Sequence, residues 1–252
     1  MKKQRDILYK DEQHKEFVQV FDSIKQGLSR HQIWSDFITI SACTISNACD
    51  PAFFDVREEM YLRCVKQYSR DDLDKFADLF ALTILALEKS TAQDFLGEIY
   101  TAMGLCNSRL GQVFTPYDVS SLMTRITLNT ESILQSTRQI SIFDPSCGAG
   151  CMFIACANYL KEKGVNYQQK ILFVGQDIDP LVAKMCYIQL SMLGCDAIIK
   201  VGDSFTDPFV ENEPLTEKIW RTPMHMLGTV FKYGLAFGSE ETDKKGTGEK
   251  TA

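Results

Sequence analysis

The 252-residue sequence predicts an α/β protein, a helical bundle at the N-terminus followed by a partial parallel sheet. Three observations predict it. Residues 11 to about 104 repeat apolar side chains at spacings of three and four, with almost nothing at period two. Residues 105 to about 205 alternate short apolar runs with helical patterns, the signature of strands joined by crossover helices. The polar and glycine-rich residues of this second part fall just after its strands, where open parallel sheets bind ligands.

The elements follow in order. Phe17, Val20, Phe21, Ile24 and Leu28 mark one buried helix face. Ser35 to Cys49 is a mixed apolar stretch, ended by Asp50-Pro51, where Asp50 caps the next helix and Pro51 fits its first turn. Leu73, Phe76, Ala77, Phe80, Ile84 and Leu87 give a strong helical period, continued by Phe95, Ile99, Tyr100 and Met103 up to a stop at Gly104. This part packs and supports. In the second part, Ile140 to Phe143, Ile171 to Val174 and Ala197 to Val201 are strands, and Gly150 to Lys163 and Pro180 to Leu193 are the helices between them. Residues 206 to 252 are broken by Pro208, Pro214 and Pro223, and 239 to 252 reads as a disordered polar tail. The expected division is therefore 1–104 helical, 105–238 α/β and 239–252 tail.

Composition excludes several classes. Apolar residues at 45% and charged residues at 24% are ordinary for a globular chain, not a disordered or repetitive one. The net charge of -6 argues against a free-standing basic nucleic-acid binder, though not against a subunit contacting DNA through one small surface. Nine cysteines without a C-x-x-C pair, and three histidines, do not fit a zinc site, so no metal is expected. Without a secretory signal or a long apolar run, the cysteines are expected to be reduced and mostly in the core of a cytoplasmic protein with no membrane contact.

Four segments carry chemistry. Asp144-Pro145-Ser146-Cys147-Gly148-Ala149-Gly150 follows the first strand and opens a helix, so the backbone turns sharply and free N–H groups face a ligand. Gly175-Gln176-Asp177-Ile178-Asp179-Pro180 ends the second strand. Asp177 there can accept both hydroxyls of a ribose, Ile178 can lie on a purine face, and Asp179-Pro180 reads as a helix cap. Gly202-Asp203-Ser204 ends the third strand, and Asp203 can accept from an exocyclic amine. Upstream, Gly111-Gln112-Val113-Phe114-Thr115-Pro116 reads as a helix start, with Thr115 as cap, Pro116 as first helical residue and Asp118 as capping-box partner.

These segments, in this order, resemble the amino-methylating DNA methyltransferases, specifically the modification subunits of type I restriction systems and their N-6 DNA methylase relatives. The likeness covers roughly residues 90 to 207. It implies a Rossmann-like, S-adenosylmethionine-dependent methyltransferase sheet, with S-adenosylmethionine as cofactor. It also implies roles. Thr115 and Pro116 flank the methionine end. Asp144, Cys147 and Gly148 line the amino-acid and sulfonium side, and Pro145 and Gly150 belong to the same cofactor-binding loop. Asp177 binds the ribose, Ile178 packs on adenine and Asp203 meets the adenine amine.

The family's catalytic motif, N-P-P-F/Y or D-P-P-Y after a fourth strand, has no counterpart in this sequence, so no catalytic residue is assigned. Asp207-Pro208-Phe209 is the nearest string, but it lacks the second proline and follows Asp203 too closely for a further helix and strand. A complete sheet needs about four more strands, and only 49 residues follow Asp203. The expectation is a cofactor-binding part of an adenine-N6 DNA methyltransferase that needs a partner chain for methyl transfer. Its expected partners are DNA, reached through a complex, and other restriction-modification subunits or a second copy. The alternative is a non-catalytic cofactor-binding or assembly module of a restriction-modification or mobile-element system. A third possibility, methyl transfer to RNA or protein, is disfavoured by Thr115-Pro116 ahead of the glycine loop. A partial sheet leaves an exposed edge, and the segment from Lys218 to Phe237 is a candidate to cover it.

Overall fold

The computed structural model describes residues 11–24, 27–106 and 112–228. The first part is helical: α1 (Glu12–Asp22), α2 (Arg30–Cys49), a 3-10 turn at Pro51–Phe53, α3 (Phe54–Val65), α4 (Arg70–Lys89) and α5 (Phe95–Ala102). α6 (Tyr117–Thr127) and α7 (Thr130–Gln135) lead into β1 (Ile140–Asp144). Then follow α8 (Cys151–Glu162), α9 (Tyr167–Lys170), β2 (Ile171–Asp177), α10 (Pro180–Met192), β3 (Ala197–Val201) and β4 (Ile219–Arg221). Residues 223–228 are helical. No described helix is long and apolar enough to cross a membrane.

Local chemistry accounts for the helix ends. Ser69 and Asp72 form a full capping box at the start of α4. Asp50 accepts from the Ala52 N–H, so the expected cap forms, but it opens the 3-10 turn ahead of α3. α5 ends at Ala102, and Gly104 follows in the left-handed region at φ 69°, as the expected stop requires. One expectation fails. Thr115 does not cap α6: Pro116 occupies the cap position, with extended ψ of 144° and no side-chain cap bond. A proline ring restricts the residue before it to extended backbone, so Thr115 leads into the helix rather than closing it.

The sheet has the order β1-β2-β3-β4, with β1, β2 and β3 parallel and β4 antiparallel on β3. Its two faces differ. Ile171 and Phe173 of β2 point to the side covered by α8 and α10, where Phe153 meets Phe173 at 5.4 Å between ring centroids. Ser141 and Phe143 of β1, Leu172 and Val174 of β2 and Ile198 of β3 point to the other side and floor a trough of about 460 Å³. One connected cluster of buried side chains runs from Phe17, Trp34 and Phe95 in the helices to Phe173 and Ile199 in the sheet. Six of the nine cysteines are buried and all are free thiols, small apolar groups within this packing.

β4 belongs to the segment expected to cover an edge, and it covers the outer edge of β3. The rest of that segment, from 229, lies outside the described residues, as does the tail from 239 to 252. Behind β4, Asp50 is fully buried and takes Arg221 through Nη2 at 2.5 Å and Arg57 through Nη1 at 3.2 Å. Arg57 also donates to the Ile219 carbonyl at 2.7 Å and lies 4.4 Å over the Trp220 ring. The two arginines hold the Asp50 carboxyl below its ordinary range against the cost of burial.

Candidate functional site

The carboxyl ends of β1, β2 and β3 lie side by side. The loop after β1 turns on two left-handed glycines, Gly148 at φ 57° and Gly150 at φ 97°. A side chain at Gly150 would also strike the Cys186 Sγ at 2.9 Å, so glycine is required there twice over. The Cys147 N–H donates to the Gln176 carbonyl at 2.9 Å, which ties this loop to β2. Asp144 turns back on its own loop and accepts from the Ser146 N–H at 3.0 Å.

Asp177 sits at the centre. Its Oδ2 accepts from the Gly148 N–H at 3.0 Å and its Oδ1 from the Asp179 N–H at 2.9 Å. Each oxygen therefore keeps a lone pair for a further donor. Its backbone carbonyl takes the Gly202 N–H at 2.9 Å, which brings the third strand end alongside. Burial raises the Asp177 carboxyl above its ordinary pKa, opposed by the two backbone donors. Ile178 next to it is 63% exposed, a large apolar side chain free to receive a flat ring. Asp203 uses Oδ1 to accept from the Phe205 N–H at 2.8 Å. Asp179 caps α10 through Leu181 at 2.9 Å, as its sequence position suggested, and also accepts from Gln112 at 2.6 Å.

The structure brings Asp144, Cys147, Gly148, Gly150, Asp177, Ile178 and Asp203 to one end of the sheet, with Pro145 exposed on the same loop. Phe114 joins them, since its ring would lie 3.8 Å from a side chain at Gly148. Thr115 and Pro116 are exposed and line a separate cavity of about 350 Å³, walled on its other side by His14, Asp94 and Glu98. Gly111 lies outside the described residues.

Asp207-Pro208-Phe209 is fully engaged in holding its own loop. The Asp207 carboxylate takes Lys200 at 2.9 Å and Lys218 at 3.2 Å. The Pro208 carbonyl takes Lys200 at 3.2 Å. Gln176 accepts from the Phe209 N–H at 2.8 Å and donates to the Asp207 carbonyl at 2.7 Å. Both Asp207 carboxylate oxygens and the Pro208 carbonyl thus each hold a lysine.

Sequence reasoning passed over Gln176 and Gln189. Both are fully buried amides that bind loops at this end of the sheet. Their signal was a lone amide inside an otherwise apolar stretch, FVGQD in β2 and MCYIQL in α10.

The family model for N-6 DNA Methylase matches residues 91–247. The Type I restriction enzyme MjaIX methylase subunit of Methanocaldococcus jannaschii is 25% identical over 135 residues, which is 50% of this chain and 22% of that protein. The MjaVII methylase subunit of the same organism is 30% identical over 114 residues, 44% of this chain and 16% of that protein. The chain thus spans about a fifth or less of the length of these relatives. A solved chain described as a class I S-adenosylmethionine-dependent methyltransferase from Listeria monocytogenes aligns with a TM-score of 0.47 at 15% identity, over 81% of this chain and 57% of that one. The family match covers more than half of the sequence, and the chain belongs to the N-6 DNA methylase family.

Proposed function

We propose that this chain binds S-adenosylmethionine at the ends of β1, β2 and β3 and forms the cofactor-binding part of an adenine-N6 DNA methyltransferase. The observation that carries the reading is Asp177. Its two oxygens are oriented by backbone N–H groups, each with a lone pair to spare, beside the exposed face of Ile178. That acceptor and surface set fits an adenosine, with vicinal hydroxyls donating to the carboxylate and the purine on isoleucine. Asp203, one strand over, is placed to accept from the purine amine, while Asp144, Pro145, Cys147, Gly148 and Gly150 shape the turn that faces the amino-acid end. The family likeness gives Thr115 and Pro116 the methionine end, and Phe114 next to them is the residue that reaches the Gly148 turn. The cofactor, when bound, supplies an electrophilic methyl group on a sulfonium.

Methyl transfer needs an acceptor group to orient the target amine, and no counterpart of the family's N-P-P-F/Y motif stands among the described residues. We assign that group to the remainder of the methyltransferase, carried by a partner chain or by further sequence. The surfaces left open support this. β1 has no partner strand on its outer edge among the described residues. α6 is inverted: it buries Ser120 and Thr124 and exposes Val119, Leu122, Met123 and Ile126 along one stripe. DNA is reached through that complex, in the cytoplasm, with other restriction-modification subunits or a second copy as partners. The lysine-bound state of Asp207 equally favours a second reading, a cofactor-binding assembly module without transfer of its own.

Calorimetric titration with S-adenosylmethionine tests the reading, with Asp177→Ala and Asp203→Ala beside the wild type. Binding that is lost in Asp177→Ala and weakened in Asp203→Ala supports it. A folded wild-type chain that gives no binding contradicts it.

A further inference from the structure

Gln189 lies in the last turn of α10, fully buried, and touches two parts of the molecule that are remote in sequence. Its Nε2 donates to the Asp94 Oδ1 at 2.7 Å and to the Ala149 carbonyl at 2.9 Å. Its Oε1 accepts from the Leu96 N–H at 3.2 Å. Asp94 in turn caps α5 through the Gly97 N–H at 3.0 Å. Both amide protons and the carbonyl are used, so the orientation is fixed. A flipped amide would face an N–H with an NH₂ and two acceptors with an oxygen.

The carbonyl it holds is not an ordinary one. Ala149 stands between the two left-handed glycines of the loop after β1, and glycines have the weakest conformational preference of their own. The peptide between Ala149 and Gly150 is held within the loop on its N–H side, where Gly150 donates to the Cys147 carbonyl at 2.9 Å, and from outside on its carbonyl side, by Gln189. The N–H that this loop presents to Asp177 comes from Gly148, the preceding residue. The Ala149 carbonyl lies two peptide planes beyond the Gly148 N–H, so holding it narrows the dihedrals of Gly148 and Ala149 that aim that N–H at Asp177.

We propose that Gln189 is the positioning residue of the cofactor loop: it clamps the Ala149 carbonyl to the start of α5 and so holds the loop in the shape that orients Asp177. The proposal rests on the cofactor reading above, but its structural half holds with or without a ligand. Gln189 touches nothing that would bind, and it acts only through the loop.

The test uses the whole chain and three variants. Gln189→Met keeps the volume and removes all three bonds. Gln189→Glu keeps the shape and the acceptor for Leu96 but offers the Ala149 carbonyl no donor. Asp94→Ala removes the α5 cap and leaves the bond to Ala149 in place. Hydrogen exchange at Cys147, Gly148 and Gly150 is measured without ligand, and S-adenosylmethionine affinity and thermal midpoint are measured alongside. Both Gln189 variants are expected to speed exchange in the loop and to weaken the cofactor by roughly tenfold to a hundredfold, the effect of leaving a buried acceptor unpaired. Asp94→Ala is expected to lower the thermal midpoint with near wild-type exchange and affinity.

The proposal is overturned if either Gln189 variant keeps wild-type loop exchange. It is also overturned if affinity and exchange follow the thermal midpoint across all three variants, Asp94→Ala included. Should Gln189→Met not fold, Gln189→Glu and Asp94→Ala decide alone. Fast loop exchange in the Gln189 variants of a chain whose wild type ignores S-adenosylmethionine would uphold the clamp and reject the cofactor instead.

Discussion

At its β3 side the sheet is closed by Ile219–Arg221, and behind that strand Asp50, Arg57 and Arg221 form a buried charge cluster joined to Trp220. At its β1 side the described residues add no strand, Phe143 stands 51% exposed, and α6 turns an apolar stripe to the outside. On the first side the buried Asp50 carboxylate and the Ile219 carbonyl are paired within the chain. On the second side, backbone donors and acceptors and large apolar side chains wait for material not among the described residues. The contrast teaches where this molecule is self-sufficient. The candidate cofactor groups hang from the ends of β1, β2 and β3, strands that are already paired within the chain. Orienting a base amine next to them needs the open side.

The largest expected effect breaks the closed side. Arg57→Met leaves the buried Asp50 with one cation and strips the Ile219 carbonyl of its donor, which should cost about 3–5 kcal/mol; urea denaturation measures it. The sign of the accompanying pH dependence follows from Asp50, whose folded pKa is depressed. Its contribution is present above the unfolded carboxylate value and is lost as pH falls through the folded one, so the wild type should lose stability in acid more steeply than Arg57→Met.

Next comes the site itself. Asp177→Ala should reduce S-adenosylmethionine affinity by roughly a hundredfold, since two hydroxyls lose one charged acceptor. In the wild type, affinity should fall on the acid side earlier than an ordinary aspartate of about 3.9 would dictate, because burial raises this carboxyl and its protonated form accepts less well. Calorimetry across a pH series reads both.

A smaller effect on the lone chain, and a larger one on assembly, is expected on the open side. Leu122→Glu with Ile126→Lys alters an exposed stripe, so the stability of the chain should change by no more than about 0.5 kcal/mol. Association with the remainder of the methyltransferase, or self-association, followed by sedimentation velocity, should be lost. Equal association by the variant would mean that this stripe is not the docking face.

The smallest expected effect lies far from both edges, at His14. Burial lowers its pKa, but Glu98 and Asp11 more than offset this and leave it raised. Its stabilising contribution is therefore complete below the unfolded value of about 6.5 and fades as pH rises through the folded value. His14→Gln should flatten that part of the stability profile, measured by thermal unfolding between neutral and alkaline pH.

Much of this architecture could be read from the chain alone, for identifiable reasons. Helix caps and strand ends are local chemistry, so Asp50, Gly104, Asp179 and the three parallel strands announced themselves. Thr115 misled because a threonine before a proline has the composition of a cap, whereas the proline ring fixes an extended approach and the helix begins at Tyr117. What stayed hidden is long-range. Nothing local to Gln189 points to Ala149 and Asp94, 40 and 95 residues away. Nothing local to Asp207 announces that Lys200 and Lys218 will claim its carboxylate. The pairing of β4 with β3, which decides which edge is closed, rests on a three-residue strand with no period to detect.

The central claim is that this chain carries the cofactor site but not the group that orients the amine. The most direct measurement is transfer of labelled methyl from S-adenosylmethionine to adenine in DNA by the purified chain alone, at saturating cofactor, with the product resolved by mass spectrometry. The account predicts bound cofactor and no N6-methyladenine. N6-methyladenine formed by the chain alone, and abolished by Asp207→Ala, would contradict it.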